Sequence, residues 1–368
     1  LRKHLKFIAL VALAALILWW FGRGLNWAEV RRSFGQADAR LLAASIAVVC
    51  TTYLLRAYRW RALLAPLTPA SIRALFVSTT VGFGAVFLFG RAGEVVRPVV
   101  LPLRDRRVRP AASFVTIMVE RLCDIVAVVV LFAANLVWFR APGGDPTQFA
   151  HVREAGVILL VVALIGVAGL VWFERQSHRA TGWLDQRLAR WTFVPERLRH
   201  MAVSTLEQLA IALKVLAHPR ELVVTVTWTA LLWLAIAFAN WLVIRAFGLP
   251  FGFGATVFVL GWALVGSLVP TPGGAAGAFH AATAAGLIFL SVPRAQAAAI
   301  AIIIHLVDFS PAVLIGLYYL VRGDVSVARL RELTSSESVE HAVEDEKIKP
   351  STEELAEEAE LQAIAVGK

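Results

Sequence analysis

The stretch that decides the fold is Gly90–Arg97, G-R-A-G-E-V-V-R. A short basic loop follows it, then an apolar run containing Glu120–Asp124, E-R-L-C-D. Arg91, Glu94, Arg97, Glu120, Arg121 and Asp124 all lie in or beside sequence that otherwise reads as membrane span. A charge in hydrocarbon is costly unless it is paired or wetted, so an intramembrane ionisable cluster points to a functional site.

The surrounding composition agrees. Of 368 residues, 58% are apolar and 17% charged, with a mean hydropathy of +0.70. Soluble domains average about 45–50% and about 25%. Several apolar runs are long enough to cross a bilayer. They are continuously apolar, whereas membrane β-strands alternate every second residue. The expected fold class is therefore an all-α polytopic membrane protein, with about six full spans plus two re-entrant helical hairpins in an inverted repeat. Twelve Trp suit a protein with two interfaces to anchor.

The net charge of +10 is unevenly spread, because Glu337–Lys368 holds ten acids against three bases. The remaining, more basic body would attract anionic lipid headgroups. Its bases flank spans, as membrane topology requires, so nucleic acid is not an expected partner. Cys50 and Cys123 sit in apolar runs and offer neither a disulfide framework nor a metal-ligand spacing.

Leu5–Phe21 reads as a retained first span, since no small-residue cleavage site follows it. Its basic start places the N-terminus in the cytoplasm. Gly22–Arg40 would lie outside, and Asp38 is a candidate cap for a span over Leu41–Leu55. Arg56, Arg59, Arg61 and Arg73 then mark a cytoplasmic segment. If Leu75–Phe89 crossed, the basic loop Arg104–Arg109 would face outward. A hairpin entered from the cytoplasm removes that conflict. It descends through Leu75–Phe89, turns at Gly90–Gly93 and returns through Val95–Leu103. Non-helical backbone at such depth requires protein or a wet cavity around it.

Ala111–Trp138 and Ala155–Trp172 read as further spans. Between them runs a charge-balanced loop with Pro142, Gly143 and Gly144. Glu174–Arg220 carries two amphipathic faces suited to the interface. Leu222–Phe247 reads as a span. Phe251–Leu290 is broken at Pro270–Gly274, P-T-P-G-G, where Pro270, Pro272, Gly273 and Gly274 stop a helix. A second hairpin, entered from outside, is expected there. Ala297–Leu320 returns to the cytoplasm. Residues 1–322 thus form the membrane domain. Residues 323–368 form an acidic cytoplasmic tail, expected to be disordered.

A shift of 184 residues lays Val81-Gly82 on Val265-Gly266, Gly90 on Gly274 and Ala92-Gly93 on Ala276-Gly277. It also lays Arg121-Leu-Cys-Asp124 on His305-Leu-Val-Asp308. The two copies would cross in opposite senses, the plan of many transporters with a midplane site.

Glu120 and Asp124, four apart, share a helix face, and Arg121 can reach Asp124. Arg91, Arg97 and Arg121 could hold a phosphate through bidentate forks. Glu94 is spaced to pair with Arg97. His280, His305 and Asp308 complete the candidate substrate-binding set, and His305 with Asp308 could relay protons. The alternative is that the charges pair among themselves and pin the hairpin between spans. Arg91 could also snorkel to the interface. Asn135 and Asn240 suit helix–helix bonding. No phosphate-binding G-x-x-x-x-G-K-[ST] loop, G-x-S-x-G or H-E-x-x-H occurs. No catalytic residue, metal or cofactor is expected.

Taken together, G-R-A-G-E-V-V-R, E-R-L-C-D and P-T-P-G-G resemble the flippase-like membrane family. This family includes the flippase domain of bifunctional lysylphosphatidylglycerol synthase. The resemblance covers Leu5–Arg322. It implies a plasma-membrane protein that moves a lipid or lipid-linked group between leaflets. Relatives commonly carry Glu shortly after P-T-P-G-G, where this chain has Phe279 and His280, and Arg where it has His305. The aminoacyl-transferring domain is not found after Arg322, so lysyl transfer is not expected. The expected partners are membrane lipids with anionic headgroups, and self-association is compatible with this reading. The rival functions are a transferase on polyprenyl-phosphate or phospholipid, with Glu120 or Asp124 as base, and a non-transporting membrane scaffold.

Overall fold

The computed structural model describes residues 19, 23, 25–139, 150–169 except 152 and 167, 219–269 and 275–322. Apart from residues 19, 219 and 220, the expected first span, the segment 174–220, the P-T-P-G-G break and the tail lie outside the described residues.

Among the described residues, all regular structure is helical. Helix α1 (Trp27–Gln36) is capped by Asn26, whose Oδ1 accepts from the Ala28 and Glu29 amides. Helix α2 (Ala39–Leu64) starts at Asp38, whose Oδ1 accepts from the Arg40 and Leu41 amides at 2.8 and 3.4 Å. That satisfies donors otherwise orphaned at a helix start. Then come α3 (Ile72–Phe89), a 3-10 turn (Gly90–Val95), α4 (Val96–Arg104) and α5 (Pro110–Trp138). Residues 153–166 are also helical. The last group is α6 (Pro219–Ala246), α7 (Phe253–Ser267), α8 (Ala276–Phe289) and α9 (Arg294–Val321).

Among the described residues, three helices are long and apolar enough to cross a membrane: Ala39–Leu64, Arg220–Ala246 and Arg294–Tyr319. With 29 residues, α5 is also long enough to span at 1.5 Å per residue, but it carries Glu120, Arg121 and Asp124 in its middle.

In each half two successive helices pack on each other, α3 on α4 and α7 on α8. At Gly93 a Cβ would run into the backbone of Ala85 and Val86, and at Gly82 one would strike the Arg97 side chain. Only glycine lets α3 and its returning arm approach so closely. In the second hairpin, a Cβ on Gly266 would sit 2.5 Å from the Ala278 carbonyl, and one on Gly286 would press on Trp262.

The two halves pack in matching ways. Helix α2 lies antiparallel to α6: Ser45 donates to the Ala239 carbonyl at 2.8 Å, and Tyr58 stacks on Trp228. Helix α3 packs on α9, where Gly84 faces Ala312 and Gly316 faces Thr80. Helix α7 packs on α5, where the Asn135 Nδ2 donates to the Gly254 carbonyl at 3.0 Å. The main core joins α1, α2 and α6–α9 around Ile244, Ala263, Leu287 and Ile300.

One sequence expectation fails here. The second span does not stop at Leu55 with Arg56 and Arg59 in a cytoplasmic segment. Helix α2 runs on to Leu64, and Arg59 is fully buried. Packing against α5 and α6, which local hydropathy does not register, buries Arg59, Trp60, Leu63 and Leu64 in that extension.

Candidate functional site

Three elements meet around Glu120. Helix α5 offers Glu120, Arg121 and Asp124 on one face, α4 offers Arg97, and α2 offers Arg59. Glu120 and Arg59 are wholly inaccessible. The Arg97 guanidinium grips Glu120 with both terminal nitrogens, at 2.6 and 3.2 Å, and lies 4.7 Å over the Trp60 ring. Arg59 forks onto Asp124 at 2.6 and 3.1 Å, and its Nη2 stands 3.1 Å from Glu120. The Asp124 Oδ1 also accepts from the Trp233 indole at 3.1 Å. Arg121 reaches Glu120 at 3.0 Å and Asp124 at 3.4 Å, with 35% of its side chain exposed.

Helix α2 links this cluster to Asp308. Tyr53, Arg56 and Arg59 recur every three residues, so they run up one side of α2. The Tyr53 hydroxyl donates to the backbone carbonyl of Asp308 at 2.7 Å. Arg56, between them, lies 4.5 Å over the Phe83 ring, and its Nε has no hydrogen-bond partner among the described residues.

Four guanidinium groups, Arg56, Arg59, Arg97 and Arg121, therefore surround two buried carboxylates, with half-buried Glu94 within electrostatic reach of Arg121. Such an assembly is a poor way to gain stability. Desolvating the ions offsets much of their attraction, and apolar residues of equal volume often do as well. Its chemical capacity is to bind an anion through the surplus positive charge.

Several pairings differ from those expected. Arg97 bonds Glu120 on α5 and not Glu94, because its guanidinium is buried against α5 while Glu94 stays half-buried. His305 meets His280, Nδ1 to Nε2 at 3.1 Å, across the packing of α8 on α9. Glu120 is sealed from solvent. The side chain of Arg91 and the backbone of Pro270, Pro272, Gly273 and Gly274 lie outside the described residues. Arg59, absent from the sequence-derived site, is its most enclosed cation. Its only sequence signal is the three-residue spacing that aligns it with Tyr53 and Arg56.

Residues 7–316 match the family described as the lysylphosphatidylglycerol synthase TM region. The chain belongs to this family. It is also similar to glycosyltransferase AglD of Haloferax volcanii, with 24% identity over 373 residues. That match takes in 92% of this chain and 57% of the relative, so the chain spans little more than half of that protein's length. The motifs at Gly90–Arg97 and Glu120–Asp124 fall within the family match.

Proposed function

We propose that this protein moves an anionic lipid, or a lipid-linked group, between the leaflets of the plasma membrane. The observation that carries the proposal is the buried surplus of positive charge around Glu120, of which Arg121 is half-exposed. The headgroup phosphate binds first at Arg121, which exchanges its bonds to Glu120 and Asp124 for the incoming oxygens. Arg59 and Arg97 keep the carboxylates in place while this happens. Arg56 receives the anion next, one helical turn nearer Asp308. The lipid tails stay in hydrocarbon throughout.

In this reading the two hairpins are re-entrant and the halves form an inverted repeat. Support comes from α2 lying antiparallel to its counterpart α6, and from the matching pairs α3 with α9 and α7 with α5. Both termini then face the cytoplasm.

Reconstitution in liposomes tests this. A fluorescent anionic phospholipid should change leaflet in the presence of the protein. Arg121→Ala should slow that movement by about tenfold or more, in line with losing one charge-assisted contact, with little change in thermal stability. Equal rates in protein-free liposomes would sink the proposal.

A second reading follows from the name of the Haloferax volcanii relative: the chain serves a glycosyltransferase, here one acting on a polyprenyl-phosphate or phospholipid. A covalently altered lipid in the same liposomes, supplied with a sugar donor, would favour it. Neither movement nor product would leave a scaffold.

A further inference from the structure

Six helix termini meet at one end of the molecule. Helix α6 runs antiparallel to α2, so its start lies beside the end of α2. Helix α9 runs antiparallel to α3, with Ala312 at Gly84 and Gly316 at Thr80, so α9 ends near the start of α3. At the end of α4, Arg104 lies 5.9 Å over the Tyr319 ring of α9. The Thr68 hydroxyl donates to the Arg107 carbonyl at 2.9 Å, and the Trp60 indole donates to Thr116, near the start of α5, at 3.0 Å.

Arginine crowds this end. Arg61, Arg73, Arg106, Arg109, Arg220 and Arg322 are all exposed. Among the described residues, the acids at the same helix ends are Asp105, bonded to Arg107 at 2.8 Å, and Glu221. A concave or flat surface lined by one sign of charge attracts the other sign.

The chain leaves α9 at this same end. Residues 337–368 then carry ten acids against three bases. Fifteen positions separate Arg322 from Glu337. That length covers about 22 Å as a helix and about 50 Å extended, while neighbouring helices stand about 8–10 Å apart. The acidic stretch can therefore reach every part of the arginine rim. The opposite end also holds exposed bases, among them Arg31, Arg32 and Arg245. It lies a full length of α9 away, 28 residues or about 42 Å, with the bilayer between.

One exposed ion pair contributes little. Docking here rests on several pairs acting together and on the tether, which sets an effective concentration on the order of millimolar. An anionic leaflet repels the acids of residues 337–368, which leaves the rim as their nearest positive surface. Salt weakens such contacts, since the screening length falls from about 10 Å at 0.1 M to about 3 Å at 1 M.

We infer that residues 337–368 dock on the arginine rim built by the ends of α2, α4 and α9 and the starts of α3, α5 and α6. Docked there, the acids neutralise part of the rim. This contact does not depend on the transport proposed above.

Disulfide trapping in the full chain tests it. Leu67→Cys puts a thiol on the loop after α2, at a position 49% exposed. Ala356→Cys puts one among Glu353, Glu354, Glu357 and Glu358. In phosphatidylcholine liposomes, a membrane-permeant oxidant should join the two within one chain, read on a non-reducing gel. Gln36→Cys at the opposite end, paired with Ala356→Cys, should not be trapped. Cys50 and Cys123 are half-buried, and Ala356→Cys alone measures their background. Raising salt from 0.1 to 1 M should slow trapping by about tenfold, and so should Arg73→Gln, Arg106→Gln and Arg109→Gln together. Trapping that is absent, that links two chains, or that ignores salt overturns the inference. The salt comparison keeps the rim intact, so it decides even if the triple variant fails to fold. Phosphatidylglycerol added to the liposomes should leave trapping in place; its loss there would give the rim to the leaflet and overturn the inference.

Discussion

Helices α5 and α9 hold equivalent places when the chain is shifted by 184 residues, with Pro110 falling on Arg294 and Asp124 on Asp308. Around those aspartates the two halves differ in kind. In the first half, Arg59, Arg97 and Glu120 make a sealed ionic knot. The same shift places Val243, Ala281 and Ile304 at those positions, and Arg121 becomes His305. Val243 and Ile304 are buried in the apolar core. Asp124 is clamped by a guanidinium fork, while Asp308 makes no ion pair within 4.0 Å among the described residues. One scaffold thus carries two electrostatic regimes. The first half is built around paired charge, the second around an apolar core.

The contrast breaks most readily at Arg59. Arg59→Leu leaves Asp124 buried without its main partner and should cost roughly 3–5 kcal/mol, read as a drop in thermal unfolding temperature in detergent. The counterpart change Val243→Ala loses only apolar contact, about 1.5 kcal/mol. Adding Asp124→Leu to Arg59→Leu should restore stability while lipid movement stays abolished. Equal costs at Arg59 and Val243 would erase the distinction between the halves.

Gly93→Val tests the hairpins. The added side chain meets the Ala85 and Val86 backbone, and the strain should cost about 1–3 kcal/mol. Proteolysis near the 3-10 turn should accelerate. Gly266→Ala, opposite the Ala278 carbonyl, should do likewise in the second hairpin.

The smallest effect is expected where each hairpin joins its following span. In the first half, Asp105 accepts from Arg107 at 2.8 Å and from the Ser71 amide at 2.9 Å. The Arg107 bond does most to draw its carboxyl down from 3.8 to about 2. Because the folded state lowers this pKa, the group's contribution is fully present above 3.8 and is lost as pH falls toward about 2. Asp105→Ala should lower the melting temperature at neutral pH, with the difference from wild type shrinking across that acid window. The corresponding loop of the second half is closed by backbone alone: the Ser291 and Val292 amides donate to the Ile288 and Leu287 carbonyls. Ser291→Ala should show no such acid dependence.

Much of this was legible in the sequence. Gly90 and Gly93 interrupt an apolar run, and the chain turns there. Asp38 precedes an apolar run and caps it. Glu120 and Asp124 are four apart, so any helix puts them on one face. These are local rules, set by backbone sterics and helical period. The partners of the charges were not legible. Arg59 sits in R-A-Y-R-W-R, at Arg56–Arg61, which reads as the wet end of a span. His305 stands three residues from Asp308, yet its ring turns to His280 on another helix.

Chain order alone determined that this is a helical membrane protein, where the chain turns at Gly90–Gly93, and which residues carry charge into the apolar interior. Those properties follow from hydropathy, glycine and the 3.6-residue turn, each of which acts over a few neighbouring positions. Only the tertiary structure decided that Arg59 is sealed against Glu120 and Asp124, and that the two histidines share a bond. Whether a charge is buried depends on helices far apart in the chain, here α2 packed against both α5 and α6.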